Sequence, residues 1–125
     1  MSASKAIGAT AGDDTLGWAA VALFYSAVHI AHAVLAVADI PERYRHPENH
    51  QGTEPHPGTN IILRTRFLVG WEFYQSLFSE SVAVRYEGRR VDQEALNHLR
   101  DDYAVLRAWA RPILESRGVP RKDWP

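Results

Sequence analysis

The sequence predicts an all-α protein, an antiparallel up-and-down helical bundle of three long helices with short helices allowed in addition. In three long segments, apolar residues recur with the 3.6-residue period of a helix, whereas no stretch alternates like a strand for long. Long helices joined by short connections pack as antiparallel neighbours. At 125 residues the chain has the size of one domain, which buries about two thirds of its unfolded surface.

The first predicted helix is the longest apolar run, residues 14–39. Asp14 or Thr15 can cap its start, and Pro41 prevents its continuation. Apolar residues cover almost every face, which is typical of a central buried helix or of a membrane span. About 20 apolar residues suffice to cross a bilayer, but polar groups such as His29 and His32 near the middle are costly there. We therefore expect the core helix of a soluble bundle with no membrane partner.

The second predicted helix runs from Asn60 to Tyr86, and Gly88 is suited to the left-handed residue that follows a helix. Gly70 in its interior indicates a close helix crossing. Its core-facing stripe recurs at steps of three and four residues and consists of Leu63, Phe67, Trp71, Tyr74, Phe78 and Val82.

The third predicted helix opens at the capping residue Asp92, contains Pro112, where a kink or restart is expected, and ends at Gly118. Its stripe is the most regular in the chain and consists of Leu96, Leu99, Tyr103, Leu106, Ala110 and Ile113. The predicted organisation is a mobile N-terminal tail (1–13), the bundle (14–118) and a C-terminal tail (119–125).

Residues 41–59 form the predicted loop between the first two helices, with one short helical turn allowed. The segment is rich in proline and histidine and has no apolar period. Loops of this length in a small domain are often functional. The chain also lacks cysteine and carries a formal net charge of −1, and its N-terminus does not have the pattern of a signal peptide. These features predict a cytoplasmic protein.

Two segments carry a resemblance to a known family. The first helix contains Trp18 and then Phe24-Tyr25-Ser26-Ala27-Val28-His29, and the second contains Tyr74-Gln75-Ser76-Leu77 and ends in Arg85-Tyr86. This pattern resembles small prokaryotic HEPN-like proteins over roughly residues 16–86. The resemblance implies an all-α bundle that commonly dimerises. It also implies a role in toxin–antitoxin or defence systems, either as a metal-independent endoribonuclease or as a non-catalytic module that binds RNA, nucleotide or a cognate partner protein.

The catalytic signature of that family is an Arg followed by a His after four to six residues, which Arg45 and His50 satisfy. Imidazole exchanges protons near neutral pH, and guanidinium can stabilise charge on phosphoryl oxygens. Here the motif lies in the loop rather than in a late helix, and a mobile loop orders catalytic groups poorly. The binding module is therefore the preferred hypothesis and the endoribonuclease is the alternative.

Two further groups of residues are candidate sites. A polar pocket between the first two helices is predicted from Tyr25, His29, Tyr74, Arg85 and Tyr86, although the same rings could be core residues whose polar ends find partners. A third hypothesis is a His-rich metal-binding bundle that uses His29, His32 and His46. Bundle metal sites typically use Glu-x-x-His pairs, which these histidines lack, so no cofactor is predicted.

Overall fold

The computed structural model describes residues 3–50, 52–53 and 56–125, with side chains for 15–50 and 58–125. Four α-helices pack together, which confirms the predicted all-α class. Two short 3₁₀ turns and a two-stranded antiparallel hairpin complete the described part. In chain order the elements are α1 (Ala3–Val37), a 3₁₀ turn (Glu42–Tyr44), β1 (Gly52–Thr53), β2 (His56–Pro57), α2 (Thr59–Arg66), α3 (Leu68–Tyr86), α4 (Gln93–Ser116) and a 3₁₀ turn (Arg121–Asp123).

Helix α1 begins at Ala3 rather than at Asp14 or Thr15, so the predicted start of the first helix is wrong. The alanines among the first residues have the highest helix propensity, which lets the helix extend despite two glycines. The mobility of residues 1–13 stays a prediction, because the side chains of this stretch lie outside the described residues.

Helix α1 is buried on one face only. Phe24, Ala27 and Val34 point into the core with no exposed surface, whereas Trp18 is 64% exposed and Tyr25 48% exposed. The expectation of a helix buried on nearly all faces is therefore wrong, because α3, α4 and, to a smaller extent, α2 pack against one side of it.

Within the described residues, Thr15–Val37 is long and apolar enough to cross a membrane by length and composition alone. The protein itself encloses about half of this segment, since 44% of an 18-residue apolar stretch within it is buried. The core helix of a soluble protein has the same length and composition, so a single such helix is weak evidence for a membrane span.

The predicted helix from Asn60 to Tyr86 is interrupted at Phe67, which separates α2 from α3 and leaves the helical region with φ −139° and ψ 65°. The prediction of one continuous helix is therefore wrong. Two residues earlier, the Thr65 hydroxyl donates to the Ile61 carbonyl at 2.7 Å, a bond that tends to bend helices. The Phe67 ring packs edge-on against Trp109 of α4 at 5.9 Å between centroids, which anchors the break.

Gly70 lies in the first turn of α3, where the indole of Trp109 meets the helix backbone. An ideal Cβ at Gly70 would lie 2.6 Å from Cη2 of Trp109 and 2.7 Å from its Cζ3. The predicted close approach at this glycine is confirmed, and Trp109 is the group that requires it.

Helix α4 has the predicted boundaries. The Asp92 carboxylate accepts a hydrogen bond from the Ala95 amide at 2.8 Å, as an N-cap should. At the other end Gly118 has φ 77°, and the Val119 amide donates to the Leu114 carbonyl at 3.0 Å. The helix continues through Pro112, so the predicted restart there is wrong. The predicted stripe is buried or half-buried along its whole length.

The loop after α1 is bonded to the start of α2. The Thr59 amide donates to the Asn49 carbonyl at 3.0 Å, and the Asn60 amide donates to the His50 carbonyl at 2.8 Å. These two bonds close the base of the β1–β2 hairpin. The predicted helical turn is confirmed at Glu42–Tyr44, whereas the hairpin was not predicted because each strand has only two residues.

Candidate functional site

Arg85, near the end of α3, forms the centre of the candidate site. Its Nη1 donates to the hydroxyl of Tyr25 on α1 at 3.1 Å. The guanidinium carbon lies 5.7 Å from the centroid of the Tyr25 ring and 5.0 Å from that of the Tyr86 ring, within the range of cation–π attraction. The structure therefore brings together three of the five residues predicted for the pocket.

These three residues and Trp18 form a surface that we call the aromatic–arginine surface. Trp18 lies two helical turns before Tyr25, about 10 Å along the same face of α1. Trp18 and Tyr86 are 64% and 73% exposed. Within the described residues, Arg85 has no carboxylate within ion-pair distance. The surface thus offers three exposed rings and a cation that has no carboxylate partner in the part of the chain that the structure describes.

His50 lies beneath this surface. Its ring packs between Phe24 and Phe78, with centroid distances of 5.2 and 5.6 Å and interplanar angles of 61° and 64°. Its Nδ1 is buried and has no hydrogen-bond partner among the described residues. Burial lowers the pKa of His50, and the positive charge of Arg85 lowers it further. His50 is therefore uncharged at neutral pH.

Arg45, the predicted catalytic partner of His50, has a different partner. Its Nη1 forms an ion pair with Glu42 at 3.0 Å, across the short 3₁₀ turn that precedes it. The cation whose charge lowers the pKa of His50 is Arg85, which follows His50 by 35 residues in the sequence. Any chemistry at His50 would thus have Arg85 as the nearer cation.

The histidines of α1 and the loop lie close enough to influence one another. The pKa of His32 is lowered by burial and then by the charges of His50, His29 and His46. Its Nε2 lies 3.2 Å from the hydroxyl of Thr59, which is fully buried. Even so, no group of three potential ligands in the described part could hold a metal ion. The metal site predicted from His29, His32 and His46 is therefore not formed there.

Tyr74 belongs to the core rather than to a polar pocket. It is fully buried, and its ring lies 5.8 Å from Phe24 and 6.3 Å from Trp71 between centroids. Its hydroxyl has no hydrogen-bond partner among the described residues, and burial raises its pKa far above the usual range. The structure therefore places Tyr74 in the core and not in the predicted five-residue pocket. His29 is exposed, and its charge lowers the pKa of His32.

Sequence reasoning did not include Trp18, Phe24 and Phe78 among the site residues. The signal for Trp18 was its seven-residue spacing from Tyr25, which places both rings on one helix face. Phe24 and Phe78 had no such signal. Aromatic residues that support a site recur along a helix with the same spacing as aromatic residues of the core, so the sequence does not distinguish them.

Together, these residues can stack on planar rings, contact an anion and exchange a proton. Exposed aromatic rings stack on nucleobases, a free guanidinium binds phosphate oxygens in a planar fork, and a neutral imidazole can accept a proton. In comparisons with known proteins, no family model, no curated protein and no solved structure matches this chain.

Proposed function

We propose that the protein is a non-catalytic HEPN-like module of a toxin–antitoxin or defence-type system that binds single-stranded RNA on the aromatic–arginine surface. The observation that carries this proposal is the position of Arg85. Its guanidinium contacts the rings of two exposed tyrosines and has no carboxylate partner among the described residues.

The chemistry of the surface favours a flexible polymer of bases and phosphates. Stacking of a base on an aromatic ring is worth about 1–3 kcal/mol, so three exposed rings can hold short unpaired RNA without reading its sequence. Arg85 supplies a phosphate contact between the rings. Because the whole chain has a formal net charge of only −1, the attraction must be local rather than a long-range field.

The wider proposal includes the arrangement and setting of the module. The connection between α3 and α4 spans only residues 87–92, which supports an antiparallel arrangement of these helices. The proposal places the protein in the cytoplasm as a homodimer with no membrane partner. A cognate partner protein is part of the same proposal.

Fluorescence anisotropy with a labelled, unstructured RNA 12-mer tests the proposal. Arg85→Gln should weaken binding roughly 10- to 150-fold, since a charge-assisted contact to phosphate is worth about 1.5–3 kcal/mol. Arg64→Gln, which removes the same charge from an exposed position on α2, should change the affinity less than twofold. Equal effects of the two substitutions, or no binding by the wild type at about 100 µM protein, would contradict the proposal.

A second candidate function is metal-independent RNA cleavage, which is favoured by the closeness of Arg85 to the uncharged His50. His50 would accept the proton of the 2′-hydroxyl, whose oxygen then attacks phosphorus and displaces the 5′-oxygen. The 5′-oxygen takes a proton from solvent water as it leaves, and the other product carries a 2′,3′-cyclic phosphate. Arg85 would stabilise the charge on the phosphoryl oxygens.

Cleavage of an RNA pool in EDTA separates this candidate from simple binding. For a nuclease centred on His50 and Arg85, His50→Ala and Arg85→Gln should both abolish cleavage, whereas Arg45→Gln should leave it nearly unchanged. Cleavage that disappears only with Arg45→Gln would support the motif predicted from the sequence instead. RNA binding without any cleavage would exclude the nuclease and leave the binding module.

A further inference from the structure

A cavity of about 400 Å³ lies where the C-terminal ends of α1, α2 and α4 meet. Small-molecule sites in proteins have volumes of about 300–1,000 Å³ and combine apolar walls with a few polar groups. This cavity, which we call the end cavity, has both properties. Its apolar walls include Ile40, Phe67 and Ile113, and its charged groups are Asp39, Arg66 and Arg117.

The end cavity is separate from the aromatic–arginine surface. Val37, the last residue of α1, follows Tyr25 by 12 residues, which corresponds to about 18 Å along the helix. None of the residues that line the cavity belongs to the aromatic–arginine surface. A ligand in the end cavity would therefore bind independently of the proposed RNA.

Two guanidinium groups are available to a ligand in the end cavity. Arg66 and Arg117 are exposed, and in the part of the chain that the structure describes neither forms an ion pair. The guanidinium carbon of Arg66 lies 5.0 Å from the centroid of the Tyr44 ring, which restrains this side chain from one side. A hydrogen bond from Arg43 lowers the pKa of Tyr44, and Arg66 lowers it further. The surroundings of Arg66 thus favour negative charge.

Asp39 is the single acidic group of the cavity lining, so the charged groups there sum to +1. Its carboxylate is exposed and, among the described residues, is not paired with either arginine. The arginines are therefore not neutralised by a direct contact. An anion in the cavity should lie toward Arg66 and Arg117, and Asp39 should weaken its binding by repulsion between like charges.

We propose that the end cavity binds a phosphate monoester that carries an apolar or aromatic body. The three terminal oxygens of the phosphate can accept hydrogen bonds from both guanidinium forks, whereas one fork already occupies the two oxygens of a carboxylate. The body then lies on Ile40, Phe67 and Ile113 and removes their apolar surface from water. Neither the phosphate nor the body alone makes both sets of contacts.

Titration of the full chain with phenyl phosphate, followed by ¹H–¹⁵N correlation spectra at about pH 7.5, tests the proposal, since the phosphate is then mostly a dianion. The amides of Asp39, Phe67 and Arg117 should shift and saturate with a dissociation constant below about 1 mM. Inorganic phosphate and benzyl alcohol should each bind at least about tenfold more weakly, because each supplies only one set of contacts. Phenylacetate, with a carboxylate in place of the phosphate, should also bind more weakly than phenyl phosphate.

Three substitutions identify the charged groups. Arg66→Gln and Arg117→Gln should each weaken phenyl phosphate binding at least about fivefold, since each removes charge-assisted hydrogen bonds. Asp39→Asn should strengthen it about two- to fivefold by removing the repulsion. Arg100→Gln is the matched control, because Arg100 is an exposed residue of α4 outside the cavity lining, and it should leave the affinity unchanged. Far-ultraviolet circular dichroism verifies that each variant is folded.

Four results would overturn the proposal. They are the absence of saturable shifts at about 10 mM phenyl phosphate, shifts confined to the aromatic–arginine surface, binding of inorganic phosphate or phenylacetate as tight as that of phenyl phosphate, and folded Arg66→Gln and Arg117→Gln variants that bind like the wild type. RNA binding and the end cavity are tested by different residues, so either proposal can fail without the other.

Discussion

Replacement of Gly70 by alanine should destabilise the protein although alanine is the better helix former. Gly70 lies inside α3, where this exchange in an open position would add about 1 kcal/mol of stability. The new methyl group would instead fall within 3.0 Å of three indole atoms of Trp109, at 2.6, 2.7 and 2.9 Å. Contacts this short require the indole or the two helices to shift.

The magnitude follows from two opposing terms. Overpacking of a core site costs typically about 1–3 kcal/mol, and the gain in helix propensity offsets about 1 kcal/mol of it. We expect the free energy of unfolding to fall by up to about 2 kcal/mol, which lowers the Tm of a domain of this size by up to about 6 °C.

Gly17→Ala provides the control, because Gly17 also lies inside a helix and its added Cβ would lie 3.3 Å from only one atom, Cγ1 of Val84. A methyl group can retreat by a few tenths of an ångström, so this variant should be neutral or more stable by up to about 1 kcal/mol. Urea denaturation monitored by circular dichroism measures both variants.

Trp109→Leu in a double-mutant cycle with Gly70→Ala identifies the clash directly. The overpacking cost of Gly70→Ala should disappear when the Trp109→Leu substitution is already present, giving a coupling energy of about 1–3 kcal/mol. If Gly70→Ala is as stable as Gly17→Ala, or if the coupling is zero, the packing of Trp109 on α3 is refuted.

Three further predictions concern a cap, two histidines and a buried hydroxyl. Asp92→Ala should lower the free energy of unfolding by about 1 kcal/mol because it removes the acceptor for the first turn of α4, whereas Asp92→Ser should retain most of it; urea denaturation measures both. The lowered pKa values of His32 and His50 mean that the unfolded chain binds more protons below about pH 6.5, so stability should decrease as the pH falls from about 6.5 to 5. The slope cannot exceed about 1.4 kcal/mol per pH unit for each ring, because each ring takes up at most one proton, and His50→Phe should reduce it in pH-dependent urea titrations. Tyr74→Phe should leave the free energy of unfolding unchanged or raise it, because the deleted hydroxyl has no hydrogen-bond partner among the described residues; a loss above about 1 kcal/mol in the same assay would show that the hydroxyl is bonded.

The helices could be predicted where periodicity and a local stop signal agree. Helix α4 was predicted closely because Asp92 caps its start and Gly118 takes a positive φ at its end. The break at Phe67 was missed because the apolar stripe continues through it at steps of four residues. A pattern of side chains reports which face is buried but not whether the backbone between two turns stays helical.

The candidate site could be predicted in its residue types but not in its partners. Tyr25, Arg85 and Tyr86 were expected together, and they are together. The contact of Tyr25 with Arg85 joins residues 60 positions apart, which depends on how α1 and α3 pack. The effect of Arg85 on the pKa of His50 was not predictable, because the bonds that fold the loop back onto α2 are made by backbone groups and leave no trace in the side-chain pattern.

Photo-crosslinking of a 4-thiouridine-labelled RNA to the wild-type protein, followed by mass spectrometry, tests the central claim most directly. It reports which residues the RNA contacts, regardless of whether cleavage occurs. The account predicts adducts at Trp18, Tyr25 or Tyr86 that disappear when unlabelled RNA competes. Competable adducts confined to α2 or α4, with none at these three residues, would contradict it.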